Sequence, residues 1–561
     1  MEAELAVTAE KIVLSVLVGG CLILFSYLYD LLLLRPKSIR SKLQKQGIRG
    51  PPPTFLLGTL PEMKRLQNKQ QGQSTATTTT TDDDGRDRVA SVSHQWHLKL
   101  FPHIEQWRSE YGPTFLYSTA HIQQLVTTDM ELVKEFSLCK SLVLGNPSIT
   151  SKVLGPLLGQ GLLASNGSMW EHQRKIIAPE LYPEKVKGMM NLIVDSTTSM
   201  LRTWDKEVHS QRGLAEIRVD NHLRNLSADV ISKACFHSNY CQGEEIFSKI
   251  RKLQIVLAKG LLGIEGLTRW FPTPGNRKIW RLEKEIESLI MKVVKQRNEG
   301  SCEKDLLQML LDGAKTSGNL HGLSQKKFIV DNCKTMFFAG HETTALVTSW
   351  SLLLLALHPD WQARARAEVL QLCGDKPPDA DMLRRMKVLT MVIQEVLRLY
   401  PPVFFVAREV FEPITFKNIT FPKGVLLQIP IPFLHQNPDL WGSDAHKFNP
   451  ERFADGISKA CKSPQAYMPF GAGSRICVGQ HLAMTELKVF LSMMLSNFCF
   501  SFSSAYQHSP VYNIVTEPEH GFELEVSFTH RIGASSEQFI CCYSVNKQLS
   551  LIHISNISFS I

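Results

Sequence analysis

Ile12 to Tyr29 is a run of 18 residues without a charged side chain, and nothing else in the chain restricts its fold so strongly. Asp30 interrupts the run, and Leu31 to Leu34 then extend it. As a helix, 18 residues reach about 27 Å and 23 residues about 34 Å, against a bilayer core of roughly 30 Å. A cleaved signal would have a shorter apolar region and a basic start. Here the start carries Glu2, Glu4 and Glu10 against Lys11 alone. The far side carries Arg35, Lys37, Arg40, Lys42, Lys45 and Arg49 and no acid. The positive-inside bias therefore predicts a lumenal amino terminus (1–11), a single transmembrane anchor (12–34) and a cytosolic remainder. Residues 35–59 read as a basic, proline-rich linker. Its Gly50-Pro51-Pro52-Pro53 is stiff and extended, as a spacer between membrane and body would be.

The net charge is +9, of which +6 lies in residues 35–50. The body is then too weakly basic to imply a nucleic-acid partner. Twelve cysteines are scattered without the paired short spacings of a zinc site. The body begins at residue 60, and composition marks 68–84, with Thr77 to Thr81 and Asp82 to Asp84, as a solvated low-complexity loop. Phe101 to Tyr111 reads as a helix stopped by Gly112-Pro113, and Thr114 to Thr119 as a strand. Trp170 to Leu311 is largely helical in pattern, with a break from Phe271 to Gly275. Ile329, Cys333, Met336, Phe337, Gly340 and Val347 recur at helical steps, which predicts one long helix from Phe328 to Leu357 at the centre of an α-rich domain. Strand signals are few, at Ile414 to Phe416 and Gly424 to Ile429. The predicted fold class is mainly α with a small β portion.

Chemistry concentrates in Phe470-Gly471-Ala472-Gly473-Ser474-Arg475-Ile476-Cys477-Val478-Gly479. Gly471 and Gly473 let the backbone approach a flat object closely. Arg475 offers a fixed cation to an anion. Cys477 stands where a thiolate could ligate a metal, with room at Gly479. The N–H groups of a following helix, His481 to Leu495, would lie near the sulfur. The decapeptide matches the pattern F-x-x-G-x-R-x-C-x-G, and it resembles the haem-binding loop of the cytochrome P-450 superfamily. Cysteine ligation of haem is a general property of that superfamily and is taken from it, not from the spacing. The resemblance spans roughly Phe101 to Val526. It implies the cytochrome P-450 fold over 60–526, with Cys477 holding the iron of haem b.

Other motifs extend the resemblance. Within Ala339-Gly340-His341-Glu342-Thr343-Thr344, Gly340 would open a groove over the iron. Glu342 and Thr343 would help to deliver protons during oxygen activation. A zinc-protease reading of His341-Glu342 fails because Ala345 stands where a second histidine is needed. Glu395 and Arg398 with Arg452 would form a buried structural charge network. Trp170 and Arg174, four apart on one helix face, would hold one haem propionate, and Arg408 the other. Gly159 to Leu163 and Ile177 to Tyr182 resemble the plant 72 clan, and within it the gibberellin-oxidising family. Substrate-lining candidates placed by that resemblance are Leu144, Leu158, Phe337, Phe404, Phe405 and Thr516.

The implied activity is O2-dependent oxygenation of a hydrophobic plant metabolite, a gibberellin-type diterpenoid first. Other isoprenoids, steroid hormones, cytokinins or fatty acids are the alternatives. Electrons would come from NADPH through a cytochrome P-450 reductase in the endoplasmic reticulum membrane, with Lys175 and Lys488 as contact candidates. A haem-thiolate isomerase or dehydratase usually lacks the acid-alcohol pair. A non-catalytic membrane haem protein is the remaining option, because residues 527–561 match nothing in the resembling family and read as an atypical, loosely packed tail. His237 also departs from the family, which usually carries glycine there.

Overall fold

The computed structural model describes residues 2–76, 92–236, 240–259, 269, 271–298, 305–316 and 323–529. The apolar run forms a helix, Glu2–Tyr29, that passes through a π-helical turn at Asp30–Leu34 and continues as Arg35–Gln44. Its aliphatic side chains from Ile12 to Leu24 are exposed, and it is long and apolar enough to cross a membrane. Arg35 pairs with Asp30 at 2.5 Å, which compensates the single acid that interrupts the run.

The basic segment beyond it is not a free spacer. Leu43 and Ile48 are buried in a second core with Leu116, Leu125, Phe421 and Leu427. Arg40 is itself buried and donates to the carbonyls of Gly50 and Pro51. Arg49 accepts from the Leu116 N–H at 2.9 Å, and Gln46 exchanges two hydrogen bonds with the Thr420 backbone. A side chain at Gly50 would bring its Cβ within 1.8 Å of the Leu116 carbonyl oxygen, so only glycine permits this docking. The next expectation also changes. Leu60–Ala76 is a helix, so the composition-based loop fails over its first nine positions, 68–76. Met63 and Leu66 bury one side of that helix, a tertiary contact that local composition does not encode. Residues 77–91, the His237 position and 530–561 lie outside the described residues.

The central helix is observed at Gln325–Leu357 and is buried along most of its length, since helices cover it on several sides. These include Val219–Phe236, Leu306–Thr316, Lys387–Leu399 and Gln480–Asn497. Ser324 caps its start by accepting from the Lys327 N–H. The β portion is small, as expected, and includes strands that the sequence pattern did not mark. A five-stranded sheet has the order Thr114–Thr119, Ile122–Thr127, Leu426–Pro430, Phe405–Val410, Leu144–Gly145. Only its second and third strands pair in parallel. A further sheet joins Leu214–Arg218 and Phe498–Phe502 through Glu523–Phe528. Leu214–Arg218 is far in sequence from the other two strands, so no hairpin signal announces it.

Gly50→Ala should undock the segment between membrane helix and sheet. Limited proteolysis should then cut between residues 44 and 54 faster than in the wild type. Unchanged protection there would contradict this account of the docking.

Candidate active site

The Cys477 loop lies between the short Gly473–Arg475 turn and the helix Gln480–Asn497. Gly471 and Gly473 adopt φ of +73° and +71°, the left-handed region where glycine carries no steric penalty. At Gly473 a Cβ would also meet the Ser137 carbonyl oxygen at 2.0 Å. Gly479 is different: its φ is −89°, and a Cβ would meet only the Cys477 Sγ, at 3.9 Å. Nothing in the chain demands glycine there, and Gly479 faces a cavity. Cys477 is exposed, but toward that same cavity. Surrounding protein pushes its thiol up, while the Gly479 N–H and Arg174 pull it down less strongly.

The cavity has a volume of about 640 Å³. Arg174, Arg408 and Arg475 all border it, and among the described residues none has an acidic partner. Arg475 donates to the Ser165 carbonyl and to Asn166 Oδ1, and its guanidinium lies 4.3 Å from the Trp170 ring centroid. Arg174 lies 5.7 Å from the same ring and donates to the Ile476 carbonyl. Burial, with Arg408 and Arg174 nearby, depresses Arg475 to about 9, and burial lowers Arg408 to about 10. Three partly desolvated cations without a counter-charge are costly unless an anion joins them. A haem fits this arrangement: Cys477 would hold its iron, Gly479 leaves space beside the sulfur, and the arginines would take its propionates.

Across the cavity stands the central helix. Gly340 lines the cavity, but its lack of a Cβ also serves packing, since one would meet Ile231 Cδ1 at 2.4 Å. Thr343 lines the cavity too, and its hydroxyl donates back to the Ala339 carbonyl at 2.7 Å. Glu342 is not among the lining residues. It is fully buried between Arg224 (3.4 Å) and Arg251 (3.5 Å), which both also pair with Glu517. Burial alone would raise its pKa, but Arg224, His341 and Arg251 hold the carboxyl below its ordinary value. The structure therefore brings the alcohol of the sequence pair to the cavity and sets the acid into a neighbouring charge cluster. Arg224, Arg251 and Glu517 carry no local sequence signal for that role.

The predicted charge network is present. The Arg398 guanidinium binds both Glu395 oxygens at 2.6 and 2.7 Å and donates to the carbonyls of His435, Ala445 and Lys447. Arg452 reaches Glu395 at 3.5 Å and Asp444 at 2.5 Å. The network leads to the cysteine loop through His435, which sequence reading missed. Burial depresses His435 to about 3, so its ring is neutral. Nδ1–H donates to the Arg398 carbonyl, leaving Nε2 to accept from the Met468 N–H at the start of the loop.

The substrate candidates divide. Leu158 and Phe405 line the cavity. Leu144 belongs to the second core instead, and Phe337 stacks on Phe236. Phe404 packs on Phe101, and Thr516 is fully buried. Apolar character marks core positions as readily as pocket walls, so it did not separate the two groups. Of the reductase-contact candidates, Lys175 is exposed, whereas the Lys488 ammonium donates to the Leu383 carbonyl.

The model of the cytochrome P-450 family matches residues 91–526. The chain is 49% identical to cytochrome P-450 714C2 of Oryza sativa subsp. japonica over 509 residues, covering 90% of this chain and 96% of that protein. It is 43% identical to cytochrome P-450 714B3 of Zea mays over 532 residues, or 94% and 98% of the two chains. With cytochrome P-450 714A2 of Arabidopsis thaliana the identity is 42% over 541 residues, covering 94% of this chain and all of the relative.

Glu395→Ala should strand the Arg398 charge and cost about 3–5 kcal/mol in unfolding free energy. A loss below 1 kcal/mol in a denaturant titration would show the network to be dispensable. A second prediction concerns Glu486, a buried carboxyl on the cavity wall. Burial raises it to about 8, only partly offset by a hydrogen bond from Thr344. The native state keeps a proton that the unfolded chain releases near 4.5, so this stabilisation is full below 4.5 and is lost as pH rises through about 8. Glu486→Gln should flatten the decline of Tm across that interval; an unchanged slope would assign the decline to other groups.

Proposed function

Because the chain belongs to the cytochrome P-450 family, whose members are haem-thiolate monooxygenases, we propose that it inserts one oxygen atom of O2 into a gibberellin-type diterpenoid. The observation that carries this reading is the cavity bounded by Cys477 on one wall and Thr343 on the other. Its lining includes Leu158, Leu162, Met336 and Val347, which suit a rigid hydrocarbon skeleton. The gibberellin assignment draws further support from the sequence motifs around Gly159 to Tyr182.

When bound, the haem supplies oxygen activation. The chain's own residues do the rest. Cys477 would hold the iron as a thiolate, with the Gly479 N–H stabilising the charge on sulfur. Arg174, Arg408 and Arg475 would pair with the propionates, which would offset their mutual repulsion. The Thr343 hydroxyl exchanges its bond to the Ala339 carbonyl for one to a proton acceptor in the cavity. Glu342, held as a carboxylate, takes a proton from water once Arg224 or Arg251 swings away, and passes it through water to the Thr343 hydroxyl. The electrons come from NADPH by way of a membrane-bound cytochrome P-450 reductase. The helix Glu2–Tyr29 anchors the protein in the endoplasmic reticulum membrane with the body on the cytosolic side.

Microsomes holding the protein and a reductase, given gibberellins, brassinosteroids, cytokinins and fatty acids, should convert a gibberellin to a product 16 Da heavier, a hydroxylation or an epoxidation. No gibberellin product in that panel overturns the substrate assignment. In Thr343→Ala, product formed per NADPH consumed should fall roughly ten-fold or more. Coupling that stays at the wild-type level would remove Thr343 from proton delivery.

A further inference from the structure

One wall of the cavity is polar and carries no charge. Strand register sets Tyr117 opposite Gln124 and runs Ile122–Thr127 alongside Leu426–Pro430, so Tyr117, Thr119, Gln124 and Gln428 gather on one face of the five-stranded sheet. All of them line the cavity. They are joined to one another. Tyr117 O–H lies 3.0 Å from Gln124 Oε1 and 2.8 Å from Gln428 Oε1. Gln428 Nε2 donates to Gln124 Oε1 at 2.8 Å, and Gln124 Nε2 donates to Thr119 Oγ1 at 2.6 Å.

A donor count shows what is left over. Two side-chain amides bring four N–H donors, of which the cluster uses one on each. Gln124 and Gln428 therefore keep one N–H apiece, and Thr119 accepts without spending its own O–H. The Tyr117 proton is satisfied by either glutamine oxygen. Free donors on the wall of an apolar chamber favour a ligand that brings an oxygen to meet them. That oxygen should be uncharged. The cations of the described lining are Arg174, Arg408 and Arg475, whose hydrogen bonds go to Ile476, Ala407, Ser165 and Asn166 and not to this cluster. His103, which also lines the cavity, is depressed by burial to about 3 and stays neutral, and burial holds the Tyr117 phenol protonated.

We propose that Gln124, Gln428 and Thr119 form a polar subsite that takes an uncharged oxygen function of the substrate, a hydroxyl, carbonyl or lactone, while its hydrocarbon body lies against the apolar walls. This rests on the reading of the cavity as the substrate chamber. It adds that the substrate already carries oxygen when it enters, so a reaction of the oxygenating class must precede this one. Gln124 and Gln428 act as positioning residues: they fix which carbon faces the Cys477 side.

The test uses the full-length, haem-loaded protein in nanodiscs with two probes that differ by one hydroxyl, ent-kaurenol and its parent hydrocarbon ent-kaurene. Affinities are read from the displacement of the haem absorption band. The wild type should bind the alcohol roughly three- to ten-fold more tightly than the hydrocarbon, the worth of a hydrogen bond. Gln428→Leu and Gln124→Leu should erase that preference, with hydrocarbon affinity and carbon-monoxide-titrated haem content unchanged. Thr119→Val, at the partly exposed rim, should reduce it and covers the case in which a glutamine variant does not fold. A preference that survives in the variants overturns the proposal, as does a wild type that binds the alcohol no better than the hydrocarbon, failure to bind either included. Loss of haem together with affinity also overturns it, because the cluster would then serve the group held by Arg408. If gibberellins yield no product but the alcohol preference is present and mutable, the gibberellin assignment falls and the subsite stands.

Discussion

A guanidinium sealed from water must find a partner for every N–H, and Arg398 does. Its five donors meet two oxygens of Glu395 and the carbonyls of His435, Ala445 and Lys447. The His435 carbonyl ends the short helix Ile431–His435, while those of Ala445 and Lys447 lie in the irregular stretch after Trp441. One planar, rigid group thereby fixes several loops at once, and Arg452 closes the far side. From His435 the constraint passes by a single hydrogen bond to Met468, and so to the backbone that presents Cys477. Desolvating the pair is expensive, and replacing it by apolar side chains would remove the cost but also the directional bonds. The network is therefore better read as specifying loop geometry than as adding stability.

The cavity sits where this network ends. Gly471, with its left-handed φ, and Gly479 line it, together with three arginines that repel one another. That repulsion is unfavourable taken alone, and an extended planar dianion would relieve it. The opposite wall combines a hydroxyl facing the cavity with an acid held in a cluster of arginines. A carboxylate already paired with two cations is a poor proton donor until a partner moves. The state of the Glu342 carboxylate and the packing of helices Val219–Phe236 and Tyr240–Lys259 are thus coupled through Arg224 and Arg251.

Legibility in the sequence followed the range of the interaction. The membrane helix, the central helix and the cysteine loop were legible because hydrophobic period, charge asymmetry and glycine conformations act over a few residues. The Glu395–Arg398 pair was legible as a helical spacing, although only the fold shows that it is buried. The reach of Arg224 to Glu342 spans 118 positions and that of Tyr117 to Gln428 spans 311, and no local pattern marks either. The strand Leu214–Arg218 escaped notice for the same reason, since its partner Glu523–Phe528 pairs with it across 305 to 313 positions. The pocket candidates, placed by resemblance and apolar character, divided between core and cavity. Phe337 and Phe404 are as hydrophobic as Phe405, but they are fully buried, whereas Phe405 keeps part of its surface on the cavity.

The helix that leaves the bilayer does not end in slack. Leu34 and Leu43 are nine helical residues apart, about 14 Å, and Leu43 is already gripped by the sheet that carries Phe405 and Arg408. With a bilayer around the apolar helix, so short a leash would keep the sheet close to the lipid surface, and a tilt of the helix would reach the body as a lever passes on rotation.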